Sequence, residues 1–356
     1  MSIYASKTYI SDLKYVVHNT PIINKLKNQK IMVTGARGLI CSGLIDLLLM
    51  SNSINNTNIT IYAADYNVNA TQKRFFDFPD QNALRQLKVV YYNATEDNNI
   101  NISTDYIIHG ASNAHPKAII EKPVETMLNN FNAMNELLNY AKVNGVRNTL
   151  FISSSEVYGV KNDRDAFFED EYGFLDILNP RNSYSSGKRA GETLCASFSK
   201  EYGIHTSIVR PGHIYGPTAS EKDSRVGSSF AYSAARKENL VLKSAGNQLR
   251  SYCYMLDCDT AILTVLLLGD NANAYNISNP ESVITIRKLA ELYAKAGNVN
   301  VIFDLPTNQE KEAVNPMSNS SLNSTKIENI GWKALFDGQK GTEHTVTILQ
   351  EEFNYK

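Results

Sequence analysis

The sequence has few cysteines, no long apolar run and no excess of charge of either sign. Its most apolar stretch lies near residues 261–268, whereas a membrane-spanning helix needs about 20 apolar residues. Lysine and arginine total 35 against 36 acidic residues, so the net charge of −1 does not favour nucleic acid or an acidic membrane surface. The first residues lack a basic start followed by an apolar core, so we predict no secretory signal. These absences favour a cytoplasmic protein with neither nucleic acid nor membrane as a partner.

The cysteines are Cys41, Cys195, Cys253 and Cys258, and none belongs to a C-x-x-C pair. No histidine stands near one at the spacing of a zinc site, so we expect reduced thiols and no metal site. What the chain does have is 356 residues, 43% of them hydrophobic and 20% charged. That length and composition predict roughly two folded domains with a large core and exclude a disordered chain.

The first half of the chain alternates short apolar runs with helical patterns. Apolar spacing after residue 39 and over 124–144 and 183–202 is typical of helices. The runs that read as strands occupy residues 30–34, 58–65, 87–92, 106–109, 149–153 and 206–209. Strands alternating with helices predict a parallel sheet covered on both faces. We therefore predict an α/β fold with a Rossmann-type, doubly wound sheet.

The second half is less regular, because Pro211-Gly212 and Gly216-Pro217 break the alternation. We expect a smaller α/β substrate-binding domain there, over the carboxyl ends of the strands, where ligands of open α/β sheets bind. The predicted segments are an N-terminal extension over 1–29, a Rossmann domain over 30–210 with a return segment near 239–268, and the substrate-binding domain over 211–238 and 269–356.

A glycine turn, Thr34-Gly35-Ala36-Arg37-Gly38, follows the first predicted strand and opens a helix. Glycines in such a turn let backbone N–H groups approach a pyrophosphate at the helix N-terminus. The third small position of the motif holds Cys41, where a glycine would allow close packing of helix on strand. We expect a slightly wider contact there, with binding retained.

Asp65 ends the second predicted strand. A carboxylate at this position accepts hydrogen bonds from the adenosine ribose and repels a 2′-phosphate, which favours NAD over NADP. Lys73 and Arg74 lie downstream and weaken this preference only slightly.

A run of serines, 153–155, ends another strand, and Tyr184 and Lys188 lie one helical turn apart. A phenol of ordinary pKa near 10 is a poor base at neutral pH, and a cation one turn away lowers that pKa. With the hydroxyl of Ser154 orienting the substrate, this group predicts removal of a proton from an alcohol while a hydride leaves to a nicotinamide.

Several motifs together resemble the extended short-chain dehydrogenase/reductase family of nucleotide-sugar epimerases, dehydratases and decarboxylases, over residues 30–335. They are Thr34-Gly35-x-x-Gly38, His109-Gly110-Ala111-Ser112, Ser154 with Glu156-Val157-Tyr158-Gly159, Tyr184-x-x-x-Lys188, Arg210-Pro211-Gly212-x-x-Tyr215-Gly216-Pro217, Arg250-Ser251-Tyr252, Tyr275-Asn276-Ile277 and Ile330-Gly331-Trp332. The resemblance implies tightly held NAD used as a recycled oxidant and a nucleotide-diphosphate sugar oxidised at C4 to a 4-keto intermediate.

The candidate site residues fall into three groups. The catalytic residues are Ser154, Tyr184, Lys188 and Glu156. The cofactor-binding residues are Gly35, Arg37, Gly38, Leu39, Ile40, Asp65, Asn93, Ala94, Ala111, Tyr184, Lys188 and Pro211. The substrate-binding residues are Ser112, Ser155, Glu156, Arg225 and Arg250, of which the two arginines suit a diphosphate.

The step that follows C4 oxidation depends on Glu156. A 4-keto group acidifies the C5 proton and makes a C6 carboxylate a β-keto acid, and look-alike dehydratases and UDP-glucuronate decarboxylases carry a glutamate at this place. His109-Gly-Ala-Ser-Asn-Ala-His115-Pro116 and the segment 223–230 also resemble the decarboxylases.

Two departures from the family patterns leave the reaction open. Residues 314–320 hold no basic residue where decarboxylases carry an arginine, and Ser155 stands where dehydratases have an aspartate. The prediction is therefore a Glu156-assisted dehydration or decarboxylation. The alternatives are a 4-epimerase, a net oxidoreductase acting on an unusual nucleotide-linked substrate, and a non-catalytic NAD-binding regulator.

The family also forms a homodimer through two long helices, here about 124–143 and 184–201. Leu194 and Phe198 share one predicted face, and Met127, Phe131 and Met134 share another. These apolar stripes predict a homodimer of the four-helix type.

Overall fold

The computed structural model describes residues 2–112, 114, 116–161, 165–304 and 318–354. Its strands are β1 (Lys30–Thr34), β2 (Thr60–Asp65), β3 (Leu87–Tyr91), β4 (Tyr106–His109), β5 (Asn148–Ile152), β6 (Thr206–Pro211), β7 (His213–Tyr215), β8 (Leu240–Leu242), β9 (Leu249–Tyr254), β10 (Asn273–Ile277), β11 (Val283–Thr285), β12 (Val301–Phe303) and β13 (Asn319–Ser320). Its α-helices are α1 (Lys7–Asn19), α2 (Leu39–Asn55), α3 (Val68–Phe75), α4 (Gln81–Leu84), α5 (Pro116–Glu121), α6 (Pro123–Asn144), α7 (Ser183–Tyr202), α8 (Val226–Ala235), α9 (Met255–Leu268), α10 (Ile286–Gly297), α11 (Thr325–Asn329) and α12 (Gly338–Asn354).

The main sheet has seven parallel strands in the order β10-β6-β5-β4-β1-β2-β3. Every residue of β5 and β6 is buried, as in strands covered by helices on both faces. This order places the reversal of the chain between β1 and β4, where the crevice of a doubly wound sheet opens. The predicted Rossmann-type α/β fold is confirmed.

The return to the main sheet differs from the expected segment 239–268. The strand β8 pairs with β12, and β9 joins β7, β11 and β13 in a small sheet outside the main one. The return consists of α9 and β10 instead, because β10 pairs with β6 in the register Asn273↔Ser207. Short apolar strands carry no local mark of the sheet they join, so the sequence pattern could not separate β8 and β9 from β10.

The smaller sheets lie beyond the carboxyl end of β6. The chain passes from β6 into β7 through Gly212, whose N–H donates to the carbonyl of Ile277 at the end of β10. A Cβ on Gly212 would lie 2.7 Å from the carbonyl oxygen of Ser251 on β9. This close backbone approach holds β7 and β9 against the carboxyl end of the main sheet.

The N-terminal segment is an integral part of the core. The α1 side chains Leu13, Val16 and Val17 are buried in the main hydrophobic cluster. The phenols of Tyr4 and Tyr9 donate to the two carboxylate oxygens of Asp46 on α2, at 2.5 and 2.6 Å. The segment therefore packs directly on the helix that follows the glycine turn.

The same segment also contacts the C-terminal helix. Asp12 on α1 accepts a hydrogen bond from the phenol of Tyr254, and the His344 ring on α12 lies 2.8 Å from its carboxylate. Ser6 and Thr8 donate to Glu351, near the end of α12. The first residues thus connect α2, the helix that follows the glycine turn, to the last helix, α12.

The helices α6 and α7 pack closely on each other, but the predicted dimer stripes are partly wrong. Met134 and Phe198 lie in the second hydrophobic cluster, with exposed fractions of 0% and 8%. Toward the start of α6, an exposed apolar stripe is formed by Val124, Met127, Leu128 and Phe131, with exposed fractions of 70, 43, 47 and 40%. The helical period alone could not tell which part of the stripe packs on the sheet.

Other global expectations concern cysteines, metals and membranes. All four cysteines are buried free thiols, and burial raises the pKa of the Cys41 thiol to about 12, which makes it unreactive. Across the described ranges no cluster of three or more potential metal ligands is found. None of the helices within those ranges combines the length and apolarity that crossing a bilayer requires.

Candidate active site

The glycine turn lies between β1 and α2 and has the geometry of a dinucleotide cradle. Gly35 has a φ of +72°, and a Cβ there would lie 2.9 Å from the backbone of Ala111. Gly38 is the N-cap of α2, so the free N–H groups of the first turn, from Leu39 and Ile40 onward, face the crevice end of the sheet. A pyrophosphate fits this helix N-terminus, because the backbone N–H groups of a first helical turn are available to an anion.

Cys41 packs against Gly110, the residue that follows β4. A Cβ on Gly110 would lie 2.4 Å from the Cys41 Sγ atom. Gly110, just after the neighbouring strand β4, thus leaves room for the Cys41 side chain that stands where the motif has a glycine. The exchange keeps the backbone of Gly110 and Ala111 close to the turn, as the N–H of Ala111 donates to the Thr34 hydroxyl at 3.3 Å.

Asp65 ends β2 and is 5% exposed, and it is bound by Arg37 from the glycine turn. The Arg37 Nε and Nη2 atoms lie 3.0 and 2.8 Å from Oδ1 of Asp65. Both residues were predicted to bind the cofactor, but their pairing was not. Arg74 points elsewhere, because its guanidinium contacts Asp46 at 2.5 Å and the Tyr4 phenol at 2.8 Å.

The remaining predicted cofactor residues lie at the same edge of the sheet. Ala111 follows β4, and Pro211 is the last residue of β6. Asn93 and Ala94 follow β3, where the Asn93 side chain donates to Glu96 and accepts from Thr95. The structure therefore gathers these residues at the carboxyl ends of the strands, where a dinucleotide would lie across them.

Tyr184, on the first turn of α7, is buried and lies near Ser154, which follows β5. Burial first, and the nearby Glu156 carboxylate second, raise the pKa of the Tyr184 phenol to about 12, while the Ser154 side chain opposes the rise. Ser154 and Tyr184 thus lie near each other. The charges of Arg225 and Arg181 also lower the pKa of this phenol, which places both arginines near it.

Lys188 lies one turn further along α7, but its ammonium points to β5. Its Nζ atom donates to the Ile152 carbonyl at 2.7 Å and lies 4.5 Å from the centre of the Phe151 ring. Burial lowers the pKa of Lys188 to about 7. The Nζ atom also lies 5.7 Å from the centre of the Tyr184 ring, and the charges that act most on the pKa of this phenol are those of Glu156, Arg225 and Arg181.

A buried polar network supports the serine run from behind. The Ser153 hydroxyl donates to Glu192 at 2.6 Å, and Glu192 binds the Arg210 guanidinium at 2.6 and 2.9 Å. Arg210 also donates to the phenol of Tyr158, which donates to Asn276 on β10. This chain of hydrogen bonds holds the ends of β5, β6 and β10 in fixed relation to α7.

Glu156 is paired with an arginine that the sequence reasoning missed. The Arg181 Nη1 and Nη2 atoms lie 3.3 and 3.4 Å from the two carboxylate oxygens of Glu156, and the Ser185 hydroxyl donates to the same carboxylate at 3.3 Å. Both members of the pair are 39% exposed. The only signal in the sequence is position: Arg181 stands three residues before Tyr184, just ahead of α7.

The predicted substrate arginines lie on the other side of the cleft. Arg225 precedes α8 and holds Asp223 through its Nε and Nη2 atoms at 2.9 and 2.6 Å. Arg250 is buried on β9, with Nη1 donating to the Leu249 carbonyl. His213, on β7, feels the charge of both arginines and was not anticipated. Desolvation and the charges of both arginines lower the pKa of His213 to about 4, so the positive charge that suits a phosphate group comes from the two arginines alone.

The other substrate predictions have mixed outcomes. Ser155 opens the short 3₁₀ turn that carries Glu156 and is half-buried, close to the predicted site. The Ser112 hydroxyl instead donates to Asn130 on α6 at 2.9 Å, which turns it toward the helix. His115 and residues 314–317, which entered the decarboxylase comparison, lie outside the described residues.

The sequence of this chain matches a family model and the sequences of several known proteins. A model of the NAD-dependent epimerase/dehydratase family matches residues 31–278. UDP-glucuronic acid decarboxylase 6 of Arabidopsis thaliana is 29% identical over 92% of this chain and 90% of its own length. UDP-glucuronic acid decarboxylase 1 of Xenopus tropicalis is 24% identical over 94% of this chain and 75% of its own length.

Solved structures share the fold. An epimerase of Methanothermobacter thermautotrophicus superposes with a TM-score of 0.78 at 16% identity, covering 94% of this chain and 96% of that one. A dTDP-glucose 4,6-dehydratase of Streptomyces venezuelae, solved with NAD bound, gives a TM-score of 0.75 at 20% identity, covering 92% and 98%.

Proposed function

The chain belongs to the NAD-dependent epimerase/dehydratase family and is an NAD-dependent enzyme, and we propose that it decarboxylates a nucleotide-linked uronic acid after oxidation at C4. The observation that carries the proposal is the Glu156–Arg181 pair beside Tyr184. The similarity to UDP-glucuronic acid decarboxylases supports the same reaction. The nucleotide we propose is accordingly UDP.

The first step falls to Tyr184 and Ser154. Ser154 orients the C4 hydroxyl of the sugar, and the Tyr184 phenolate takes its proton. The hydride from C4 is taken up by the bound NAD and returned at the end, which is the chemistry that the cofactor supplies. Lys188 lies under the strand end, where its three donors suit a ribose hydroxyl as well as the Ile152 carbonyl.

The second step needs a cation beside the C6 carboxylate, because a carboxylate next to Glu156 alone would be repelled. Arg181 supplies that cation, and its planar guanidinium suits a carboxylate. In the 4-keto intermediate the C5–C6 bond breaks, its electron pair moves into the C4 carbonyl as an enolate, and CO2 leaves. A proton then adds to C5, and Glu156 is the group placed to direct it there.

The nucleotide end of the substrate is assigned to the opposite wall. Arg225 and Arg250 bind the diphosphate in this proposal. Both lie close enough to His213 for their charges to lower its pKa. Asp223 holds the Arg225 guanidinium in place before substrate arrives.

The test is a product assay by NMR in D2O, with UDP-glucuronate and added NAD. We expect loss of CO2, a UDP-pentose product and one deuterium at C5. Arg181→Gln should lose decarboxylation while still reducing NAD, and Glu156→Gln should slow protonation at C5 and lose its stereospecificity, because C5 must in any case take one deuterium from the solvent. Arg287→Gln is the matched control, since it removes an exposed arginine–glutamate pair on α10 far from the cleft and should change nothing. Failure of all UDP-, GDP-, CDP- and dTDP-sugars to reduce bound NAD would overturn the enzymatic proposal in favour of a regulator.

A second candidate is C4 epimerisation. It is favoured by residues 314–320, which hold no basic residue where the decarboxylases carry an arginine. The same NMR assay separates the two reactions. An epimerase retains C6 and incorporates no deuterium at C5, and it inverts the configuration at C4, which changes the coupling constants of H4.

We further propose a homodimer formed through α6 and α7. The side chains of Val124, Leu128 and Phe131 are exposed on α6, which packs on α7, and they support such an interface. Light scattering of Leu128→Glu should show monomers. Val143→Glu, which charges an exposed apolar position on another face of α6, should leave the dimer intact. A monomeric unmodified protein at micromolar concentration would refute the proposal.

A further inference from the structure

The turn that carries Glu156 is held against α7 by the guanidinium of Arg189. The Nε atom of Arg189 donates to the Val157 carbonyl at 2.6 Å. Its Nη2 atom donates to the carbonyls of Tyr158 and Gly173, at 3.3 and 3.2 Å. One side chain of α7 therefore holds the two residues that follow Glu156 and a residue of a second segment.

Arg189 uses its charge for bonds to the main chain rather than for an ion pair. Glu192, a carboxylate whose charge acts on Arg189, is paired with Arg210 at 2.6 Å. Hydrogen bonds from a charged donor to a carbonyl are stronger than those between neutral groups. The planar guanidinium also points its donors in fixed directions, so it can hold neighbouring carbonyls in one geometry.

The two segments that Arg189 holds also pair with each other. The Val160 N–H donates to the Phe174 carbonyl at 2.9 Å, and the Phe174 N–H donates back at 2.8 Å. The Gly173 N–H donates to the Tyr158 carbonyl at 2.7 Å. A pair of strands this short is marginal by itself in water, so its position on α7 depends on the bonds from Arg189.

The groups on which Glu156 acts stand at or just before the start of α7. Its carboxylate lies 3.3 and 3.4 Å from the Arg181 guanidinium and 3.3 Å from the Ser185 hydroxyl, and its charge raises the pKa of Tyr184. The Glu156 side chain is 39% exposed, and exposed ion pairs hold their members weakly. The distance from this carboxylate to Tyr184 therefore depends on how the main chain of the turn is held.

We infer that Arg189 is a positioning residue for Glu156, and that it fixes the Glu156 carboxylate at the reacting end of α7 through the carbonyls of Val157 and Tyr158. The inference rests on the proposed function, in which Glu156 directs a proton to C5. Arg189 acts through the main chain and contributes no group to the reacting atoms.

The experiment compares two substitutions of Arg189 in D2O with UDP-glucuronate and added NAD. Arg189→Lys keeps the charge and loses the planar fork, whereas Arg189→Gln loses both. Lys200→Gln is the matched control, because it removes one exposed cation from the other end of α7. Thermal unfolding of each variant checks that it is folded, and Arg189→Lys provides the same test if Arg189→Gln is not.

We expect Arg189→Gln to slow protonation at C5 by about 10²-fold, the cost of a misplacement of about 1 Å, and to lose its stereospecificity. C4 oxidation, read as NADH absorbance, should fall by much less. Arg189→Lys should show a smaller loss of the same kind, because an ammonium still reaches one carbonyl. Lys200→Gln should change neither step.

The pH profile of NAD reduction separates positioning from charge. Loss of a nearby cation alone would raise the pKa of Tyr184 and move the profile to higher pH. Retreat of the Glu156 carboxylate, with Arg181 and Arg225 still in place, lowers that pKa and moves the profile to lower pH. We therefore expect Arg189→Gln to move the profile to lower pH, and to give no such shift when Glu156 is already replaced by Gln.

Three results would overturn the inference: no shift of the profile, a shift to higher pH, or a shift to lower pH that persists in the Glu156→Gln background. Oxidation of UDP-glucuronate at C4 precedes both decarboxylation and epimerisation, so this profile tests Arg189 whichever reaction follows. Retention of C6 by the unmodified protein would instead count against the proposed decarboxylation alone.

Discussion

In the cofactor half of the cleft the ligand-facing surface is backbone, exposed by Gly35 and Gly38 at the start of α2. In the substrate half it consists of charged side chains held in pairs, Glu156 with Arg181 and Arg225 with Asp223. A backbone cradle depends on the main-chain path and tolerates little change. Paired side chains can be exchanged one at a time, so the substrate half is where one family can change its reaction without rebuilding the fold.

The catalytic tyrosine stands where the two halves meet, and its loss should have the largest effect. Tyr184→Phe keeps the ring and removes the proton acceptor, so we expect reduction of bound NAD to fall by about 10²–10⁴-fold. Stopped-flow absorbance of NADH measures this step directly. Retained NAD binding should accompany the loss, and a variant that still reduces NAD at the normal rate would assign the base elsewhere.

The cofactor half should also be the more sensitive to its structural support. Asp46→Ala removes the carboxylate shared by Tyr4, Tyr9 and Arg74, and leaves their donors without it. We expect a loss of about 3–5 kcal/mol in the free energy of unfolding. Tyr9→Phe removes one hydrogen bond only and should cost about 1 kcal/mol. Denaturant unfolding of both variants measures the difference, and equal costs would show that the network is not shared.

The contact between Cys41 and Gly110 offers a test of the backbone cradle itself. Gly110→Ala places a methyl group against the Cys41 sulfur and the turn, so we expect NAD affinity to fall about 5- to 100-fold, as for overpacking by about 1–3 kcal/mol. Cys41→Gly alone should change affinity little. The double variant should recover most of the lost affinity in a binding titration, and an unrecovered double variant would show that the two residues act separately.

The smallest expected effect sharpens the substrate half. The carboxylate of Glu156 raises the pKa of Tyr184, and the charge of Arg181 lowers it. Glu156→Gln should therefore move the pH profile of NAD reduction to lower pH, because the phenolate forms more easily. Arg181→Gln should move it to higher pH. Both groups are partly exposed, so we expect shifts of about one pH unit or less. Shifts of the same sign would contradict this electrostatic account.

Much of the fold could be predicted from the sequence because its marks are local. The helix predicted over 183–202 coincides with α7, and the strands predicted over 30–34 and 106–109 coincide with β1 and β4. Glycine spacing after β1 and the acidic end of β2 likewise depend on neighbours in the chain. These features follow from periodicity and from turn chemistry, which short segments carry with them.

The partners of the charged residues could not be predicted in this way. Arg37 and Asp65 are 28 residues apart, and Glu156 and Arg181 are 25 apart. Each pair meets only because parallel strands and their following turns end at one edge of the sheet. The inward turn of Arg74 depends on Tyr4, 70 residues earlier, and the packing of that N-terminal segment on α2 leaves no local signal.

The sequence by itself determined the elements, the order in which strand and helix alternate, and the residue types at the strand ends. Local backbone preferences and apolar periodicity are enough for that. The tertiary structure decided the partners of the charged side chains. Arg37 forms an ion pair with Asp65, Arg181 forms one with Glu156, and Lys188 donates to the Ile152 carbonyl at the end of β5. Such pairings depend on distances between segments remote in the chain, and these distances exist only once the sheet has formed.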